Sequence, residues 1–192
     1  MSEIPLILAT AVVAYLIGSI PFGFILAASR GIDIRKHGSG NIGATNLMRV
    51  LGRPWGITCF MLDFLKGFLP VIIAGHLIAN PPPALVPVAA CATVCGHVFP
   101  VYLRFKGGKG MATTIGAVTG LSFWAVLAGV LVWYLVFTIW RYVSLASIAA
   151  AVAIPLTAFL VPGTSAWTRG LLAALALLVV YRHKSNIVRL LT

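Results

Sequence analysis

Residues 111–140, MATTIGAVTGLSFWAVLAGVLVWYLVFTIW, form a thirty-residue apolar run without one charged side chain. About 20 helical residues cross a bilayer core, so this run is long for one crossing and short for two. Gly116-x-x-x-Gly120 followed by Leu121-Ser122 lies where a tight turn between two short spans could fall. Whether the run counts once or twice fixes the number of crossings, and with it which loops share a face.

The composition sets the class. Of 192 residues, 60% are hydrophobic and 9% charged, with mean hydropathy +1.04, whereas a soluble domain carries about 25% charged residues. Further apolar runs occupy residues 5–28, 55–79, 84–103, 142–161 and 166–182. They are continuous and lack dyad alternation, which selects helices over a barrel. The expectation is an all-α polytopic membrane protein forming one domain over residues 1–192. The first run has no basic segment before it and no cleavage site, so it reads as a retained span. Cys59, Cys91 and Cys95 lie within apolar runs, and Cys91-x-x-x-Cys95 reads as small-residue packing rather than a metal or disulfide pair.

Charge decides the count, because Lys and Arg concentrate in short cytoplasmic loops. Arg30, Arg35, Lys36, Arg49 and Arg53 follow the first run, Arg104, Lys106 and Lys109 follow the third, and Arg182, Lys184 and Arg189 close the chain. These clusters share a face only if residues 111–140 cross twice. Seven spans then put twelve of the fourteen cations inside, Arg141 included, with Arg169 outside and Lys66 within the second span. The N-terminus is outside, the C-terminus is cytoplasmic, and the Pro81-Pro82-Pro83 and Pro162-Gly163 connections face out.

The net charge of +11 reflects fourteen Lys and Arg against only Glu3, Asp33 and Asp63. The cations must therefore meet an anion from elsewhere. Anionic lipid is one candidate and a phosphorylated substrate is another. Neither a nucleic-acid partner nor an obligate protein partner is expected, and membrane lipid surrounds the spans.

Three polar constellations lie on the basic face. In the first loop, Gly31, Gly38, Gly40 and Gly43 give a backbone able to wrap an anion with N–H groups. Thr45-Asn46 is placed as the N-cap of a short helix, Leu47 to Leu51, ended by Gly52 and Pro54. A helix start beside a glycine loop suits an anion, and Arg49, one turn beyond Asn46, could close on it with a bidentate fork. The alternative is a solvated turn with basic lipid anchors. Gly38-Ser39-Gly40-Asn41-Ile42-Gly43 matches G-x-G-x-x-G, but no strand or βαβ unit accompanies it, so the pattern carries no dinucleotide assignment.

The second constellation, GHVFPVYLRFKGGKG at 96–110, places Lys109 among Gly107, Gly108 and Gly110 before a helix. A Walker A loop needs Ser or Thr after the Lys and Gly at 103, where Gly110 and Leu103 stand, so that match fails. A lysine in an N–H-rich loop still suits phosphate. In the third, His183 and Asn186 share a face if the last helix continues through them. Asp63 and Lys66, one turn apart inside the second span, read as an ion pair that neutralises itself and orients the loops.

Together, GSGNIGATN with Arg49, DFLKG, GHVFPVYLRFKGGKG and RHKSNI resemble the bacterial acyl-phosphate:glycerol-3-phosphate acyltransferase (PlsY) family. The resemblance implies seven helices in the cytoplasmic (inner) membrane with the site facing the cytoplasm. It also implies acyl transfer from acyl phosphate to the 1-hydroxyl of glycerol 3-phosphate, giving lysophosphatidic acid and phosphate, the first step of phospholipid synthesis. By motif position Ser39, Arg49, Lys109, His183 and Asn186 match the family's substrate-binding residues, and Gly38, Gly40, Asn41, Gly43, Thr45, Asn46, Gly107 and Gly108 the loops around them.

The residue chemistry agrees. Two phosphate-bearing substrates suit a carboxylate-poor, Arg- and Lys-rich site without metal or other cofactor, since a metal phosphotransferase needs several acidic ligands. Acyl phosphate already carries a good leaving group, so the work is to position the hydroxyl and stabilise negative charge, assigned to Lys109, Arg49 and loop N–H groups. The hydroxyl proton goes either to His183 or to a phosphate oxygen of the donor. A His-x-x-x-x-Asp acyltransferase is excluded, because Ile42, Pro81, Tyr102 and Val188 stand where each histidine would need its Asp. A transporter would call for polar residues through the midplane, and beyond Asp63 and Lys66 the spans offer little.

Overall fold

The computed structural model describes residues 3–162 and 164–191. Gly163 of the expected Pro162-Gly163 connection therefore lies outside the described residues. Among the described residues are ten α-helices and no strand. The chain divides into two compact units, residues 1–117 and 118–192.

In the first unit the opening apolar run becomes two helices, α1 (Ile4–Ser19) and α2 (Phe22–Ala28). Pro21 has no N–H to donate and holds Ile20 out of the helical region, at φ −60° and ψ 115°. From its own span the Ile20 carbonyl accepts a tight bond from the Phe22 N–H, at 3.1 Å. A lysine completes it. Helix α3 (Ala44–Leu51) ends at Gly52, whose φ of +97° excludes most side chains, and α4 (Arg53–Ile72) begins there with Pro54 in its first turn. From α4 the Lys66 ammonium reaches the Ile20 carbonyl at 2.7 Å and Asp63 Oδ1 at 2.7 Å. Both side chains are buried, at 2% and 3% exposure. The expected Asp63–Lys66 pair thus forms, and its cation also serves a backbone break in a different span.

Helix α5 (Leu85–Val98) packs on α1 backbone to backbone. A Cβ on Gly18 would overlap the Thr93 carbonyl, and one on Gly96 the Tyr15 carbonyl. In lipid, where burial gives helices no drive to associate, such close contact is what holds spans together. Gly116 of α6 (Met111–Leu121) is used in the same way, against the Phe64 carbonyl of α4.

The 111–140 run divides at Ser122, the N-cap of α7 (Phe123–Trp140), whose hydroxyl oxygen accepts the Ala125 N–H at 3.4 Å. In the second unit α7 is followed by α8 (Val143–Leu160), α9 (Ala166–Arg182) and α10 (Lys184–Leu191). Ala125, Ile154, Ala158 and Leu172 form a buried cluster between α7, α8 and α9. Trp133 Nε1 donates to Ser147 Oγ at 3.4 Å, so Ser147 serves helix packing. On α7, Trp124, Leu131, Tyr134, Leu135 and Ile139 are exposed, the mark of a lipid-facing surface.

Among the described residues, five helical stretches are long and apolar enough to cross a membrane: Ile4–Ala28, Arg53–Leu77, Leu85–Leu103, Phe123–Trp140 and Val143–Leu160. Ala166–Arg182 with Lys184–Leu190, bent by 58°, makes a sixth if the pair counts as one span. At eleven residues α6 is about 16 Å long, roughly half the hydrocarbon thickness. The division of the long run is therefore present, but one of its products is shorter than an ordinary crossing.

Asp63→Leu leaves a buried ammonium without its counter-charge and is expected to cost about 3–5 kcal/mol, read as a lowered Tm in detergent. Adding Lys66→Met should recover part of that loss but not all, because the Ile20 carbonyl then loses its ammonium.

Candidate active site

The first basic loop is organised by two short polar side chains. Asp33 accepts the Arg35 N–H at 3.1 Å and its guanidinium at 2.8 Å on each oxygen, opening a 3-10 turn at Ile34–Lys36. The hydrogen-bonded Arg35 side chain holds the Asp33 carboxyl down at about 2. A depressed carboxylate contributes its stability above its unfolded-state value, so this contact weakens only as pH falls toward 2. Arg35 also lies over the Phe24 ring at 4.7 Å, so its charge is already engaged.

Asn46 shapes the glycine segment. Its side-chain amide donates to the His37 carbonyl at 3.0 Å and the Asn41 carbonyl at 2.9 Å, and its Oδ1 accepts the Ser39 N–H at 2.8 Å. The loop closes around it with Gly38 at φ +59° and Gly40 at φ +69°, and a Cβ on Gly38 would overlap Asn46 Oδ1. This corrects the cap placed at Thr45-Asn46. Helix α3 starts at Ala44 with Gly43 as N-cap, and Asn46, inside its first turn, folds back on the loop instead. Asn41 Oδ1 takes the Gly43 N–H at 2.8 Å. Ser39, Thr45 and Arg49 are exposed, and among the described residues Arg49 has no carboxylate partner.

The second loop folds back on the end of α5. Arg104 and Phe105 take left-handed φ values of 51° and 62°, uncommon outside glycine, and the Phe105 N–H returns to the Pro100 carbonyl at 2.9 Å. The Gly108 N–H then donates to the His97 carbonyl at 3.2 Å. A Cβ on Gly107 would overlap that same carbonyl, and one on Gly108 would overlap His97 Nε2. Lys109 follows directly, half-buried, and the Gly110 carbonyl accepts the Thr114 N–H at 2.7 Å at the start of α6.

Helix α4 is the common floor. Buried Cys59 packs with Ala27, Ile34, Ile42 and Leu47 beneath the first loop, and Leu103 from the second lies against the same cluster. One turn further, Asp63 Oδ1 lies 3.6 Å from His97 Nδ1. The first loop thus rests on the Cys59 turn of α4, and His97, on which Gly107 and Gly108 pack, stands beside the Asp63 turn.

His183 and Asn186 belong to the second unit. The last helix does not continue straight through them: α9 ends at Arg182, and the His183 carbonyl starts α10 by accepting the Asn186 N–H at 2.8 Å. His183 is buried rather than exposed, with Nδ1 2.8 Å from the Val179 carbonyl. A carbonyl can only accept, so the proton sits on Nδ1, and a neutral ring then has Nε2 as its acceptor nitrogen.

Apolar helices of spanning length, joined by glycine-rich basic loops, define an integral membrane protein. The family model described as glycerol-3-phosphate acyltransferase matches residues 8–192, and the chain belongs to that family. It is 49% identical to a glycerol-3-phosphate acyltransferase of Geotalea daltonii over 98% of this chain and 94% of the relative. To that of Aquifex aeolicus it is 45% identical, over 93% and 92%. Among solved structures it is similar to PlsY (YgiH), an integral membrane glycerol 3-phosphate acyltransferase, in its glycerol 3-phosphate form, with TM-score 0.91 and 43% identity over 96% of this chain and 92% of that one. The lysophosphatidic acid form gives TM-score 0.89 at 42% identity, over 96% and 91%.

In the sequence His97 stands out only as a histidine without a following Asp. Its signal was available in Asp63, a buried acid in a span, which points to a second partner beyond the lysine on its own helix. Asn46→Asp keeps the acceptor for Ser39 but removes the bonds donated to the Ile34, His37 and Asn41 carbonyls. Urea unfolding in detergent is expected to show a loss of about 1–3 kcal/mol.

Proposed function

We propose that this chain transfers a fatty acyl group from acyl phosphate to the 1-hydroxyl of glycerol 3-phosphate, releasing inorganic phosphate and lysophosphatidic acid, the first step of bacterial phospholipid synthesis. The observation that carries the reading is the pair of glycine-rich loops beside Arg49 on α3 and around Lys109, in a chain with three acidic side chains, two of them already paired to Arg35 and Lys66. Family membership supports it, as do the solved forms of a similar protein named for glycerol 3-phosphate and lysophosphatidic acid.

The hydroxyl oxygen attacks the acyl carbonyl carbon, the new ester bond forms, and the bond from that carbon to the phosphate oxygen breaks. Lys109, Arg49 and loop N–H groups of Gly107 and Gly108 stabilise charge on the carbonyl and departing phosphate. Ser39, His183 and Asn186 contact glycerol 3-phosphate, and Gly38, Gly40, Asn41, Gly43, Thr45 and Asn46 shape the loop that carries Ser39. The hydroxyl proton passes to a phosphate oxygen of the donor, which gains basicity as its bond to carbon breaks, and His183 orients the acceptor. No step needs a metal or cofactor.

The chain works as one acyltransferase domain over residues 1–192, with α6 as a short seventh crossing. Its N-terminus is outside, its C-terminus cytoplasmic and its site on the cytoplasmic side of the inner membrane, the arrangement favoured by the cation distribution.

Purified protein given glycerol 3-phosphate is expected to make lysophosphatidic acid from palmitoyl phosphate and not from palmitoyl-CoA. Product from the CoA donor alone would overturn the reading, and product from neither would turn attention to transport. His183→Asn should keep more activity than His183→Ala. Equal losses beyond about a thousandfold would instead make His183 the base.

A further inference from the structure

We propose that His97 is the positioning residue of the Lys109 loop, coupling the buried Asp63–Lys66 pair to the place where the lysine is presented. The proposal rests on the acyl-phosphate reading above for its kinetic consequence, but not for its structural content.

His97 holds the loop in two ways. Its carbonyl takes the Gly108 N–H at 3.2 Å, and its ring occupies the space a side chain at 108 would need. Gly107 lies against the same carbonyl and against Pro100. Two successive glycines are therefore required because the loop backbone rests directly on a histidine, and Lys109 is the next residue after that contact. The other edge of the ring faces α4. Nδ1 lies 3.6 Å from Asp63 Oδ1, longer than a hydrogen bond but within reach of a charge interaction, and the same oxygen meets the Lys66 ammonium at 2.7 Å. With 5% of its surface exposed, the ring has little room to turn, and the carboxylate sets which edge faces inward. The chain of contact runs from the Ile20 carbonyl through Lys66, Asp63 and His97 to Gly108, all within the first unit. Misplacing a catalytic group by about 1 Å can cost a hundredfold in rate, so a fixed seat beneath the residue preceding Lys109 has kinetic weight.

The test combines loop exchange with kinetics. In His97→Ala, hydrogen exchange of residues 104–110 should quicken. The kcat/KM for palmitoyl phosphate should fall about tenfold to a hundredfold, while the KM for glycerol 3-phosphate stays within about threefold. His97→Asn, whose side chain can place an N–H where Nδ1 stands, should recover most of both. Gly108→Ala should reproduce the donor-specific loss with the histidine intact, and it carries the test if His97→Ala does not fold. Unchanged exchange and donor kinetics would overturn the proposal. So would a fall in kcat no larger than the loss of folded protein read by size-exclusion chromatography, the mark of a smaller folded fraction. Absence of turnover with palmitoyl phosphate in the wild-type protein would overturn the acyl-phosphate reading, and the exchange comparison would still decide whether His97 holds the loop.

Discussion

The Lys66 ammonium lies 2.7 Å from both the Asp63 carboxylate and the Ile20 carbonyl, and the first unit is arranged around that contact. Pro21 breaks the first span and leaves a carbonyl that a bilayer interior will not hydrate. A neutral donor could satisfy it. A lysine brings a charge that must itself be balanced, and Asp63 balances it one turn away. The same carboxylate oxygen also lies within 3.6 Å of the His97 ring. A proline in one span thus accounts for a lysine and an aspartate in the next, and explains why a histidine sits at the end of a third.

This network uses one of the chain's three carboxylates, and Arg35 engages another through a bidentate pair. The basic face therefore has almost no internal anions. Its cations and loop N–H groups are organised by carbonyls and amides instead, above all by Asn46, which holds three loop groups without adding charge. A site built this way keeps its positive potential for what enters it. Neutral polar side chains do the shaping, and among the described residues Arg49 is left without a carboxylate partner.

Much of this was legible in the sequence because it follows from local or additive quantities. Hydropathy marked the spans, with ends agreeing closely at Ile4–Ala28 and Leu85–Leu103. The cation distribution demanded a break in residues 111–140, and Ser122 provides one. The Asp63–Lys66 pair was readable because three residues is one helical turn. Contacts between distant residues were not. Asn46 looked like a cap because Thr-Asn before an apolar turn usually is one, but its carbonyl partners at His37 and Asn41 exist only once the loop has folded back. The burial of His183 depends on a 58° bend that no proline or glycine announces. His97 lay in a motif noted for its glycines, and its role emerges only when α4 is beside it.

The break at Ile20 and Pro21 also bears on how the molecule is assembled. The first span enters the membrane before the helix that carries Lys66 has been made, so its open carbonyl must wait in the bilayer for a partner. The second span is well suited to bring that partner, because Asp63 and Lys66 cancel each other's charge within one turn and α4 can insert as a nearly neutral helix. Once it arrives, the ammonium donates to a carbonyl that the Phe22 N–H has only partly satisfied. Chain order thus becomes docking order: the defect is laid down first, its remedy follows, and the histidine that reads the result comes third.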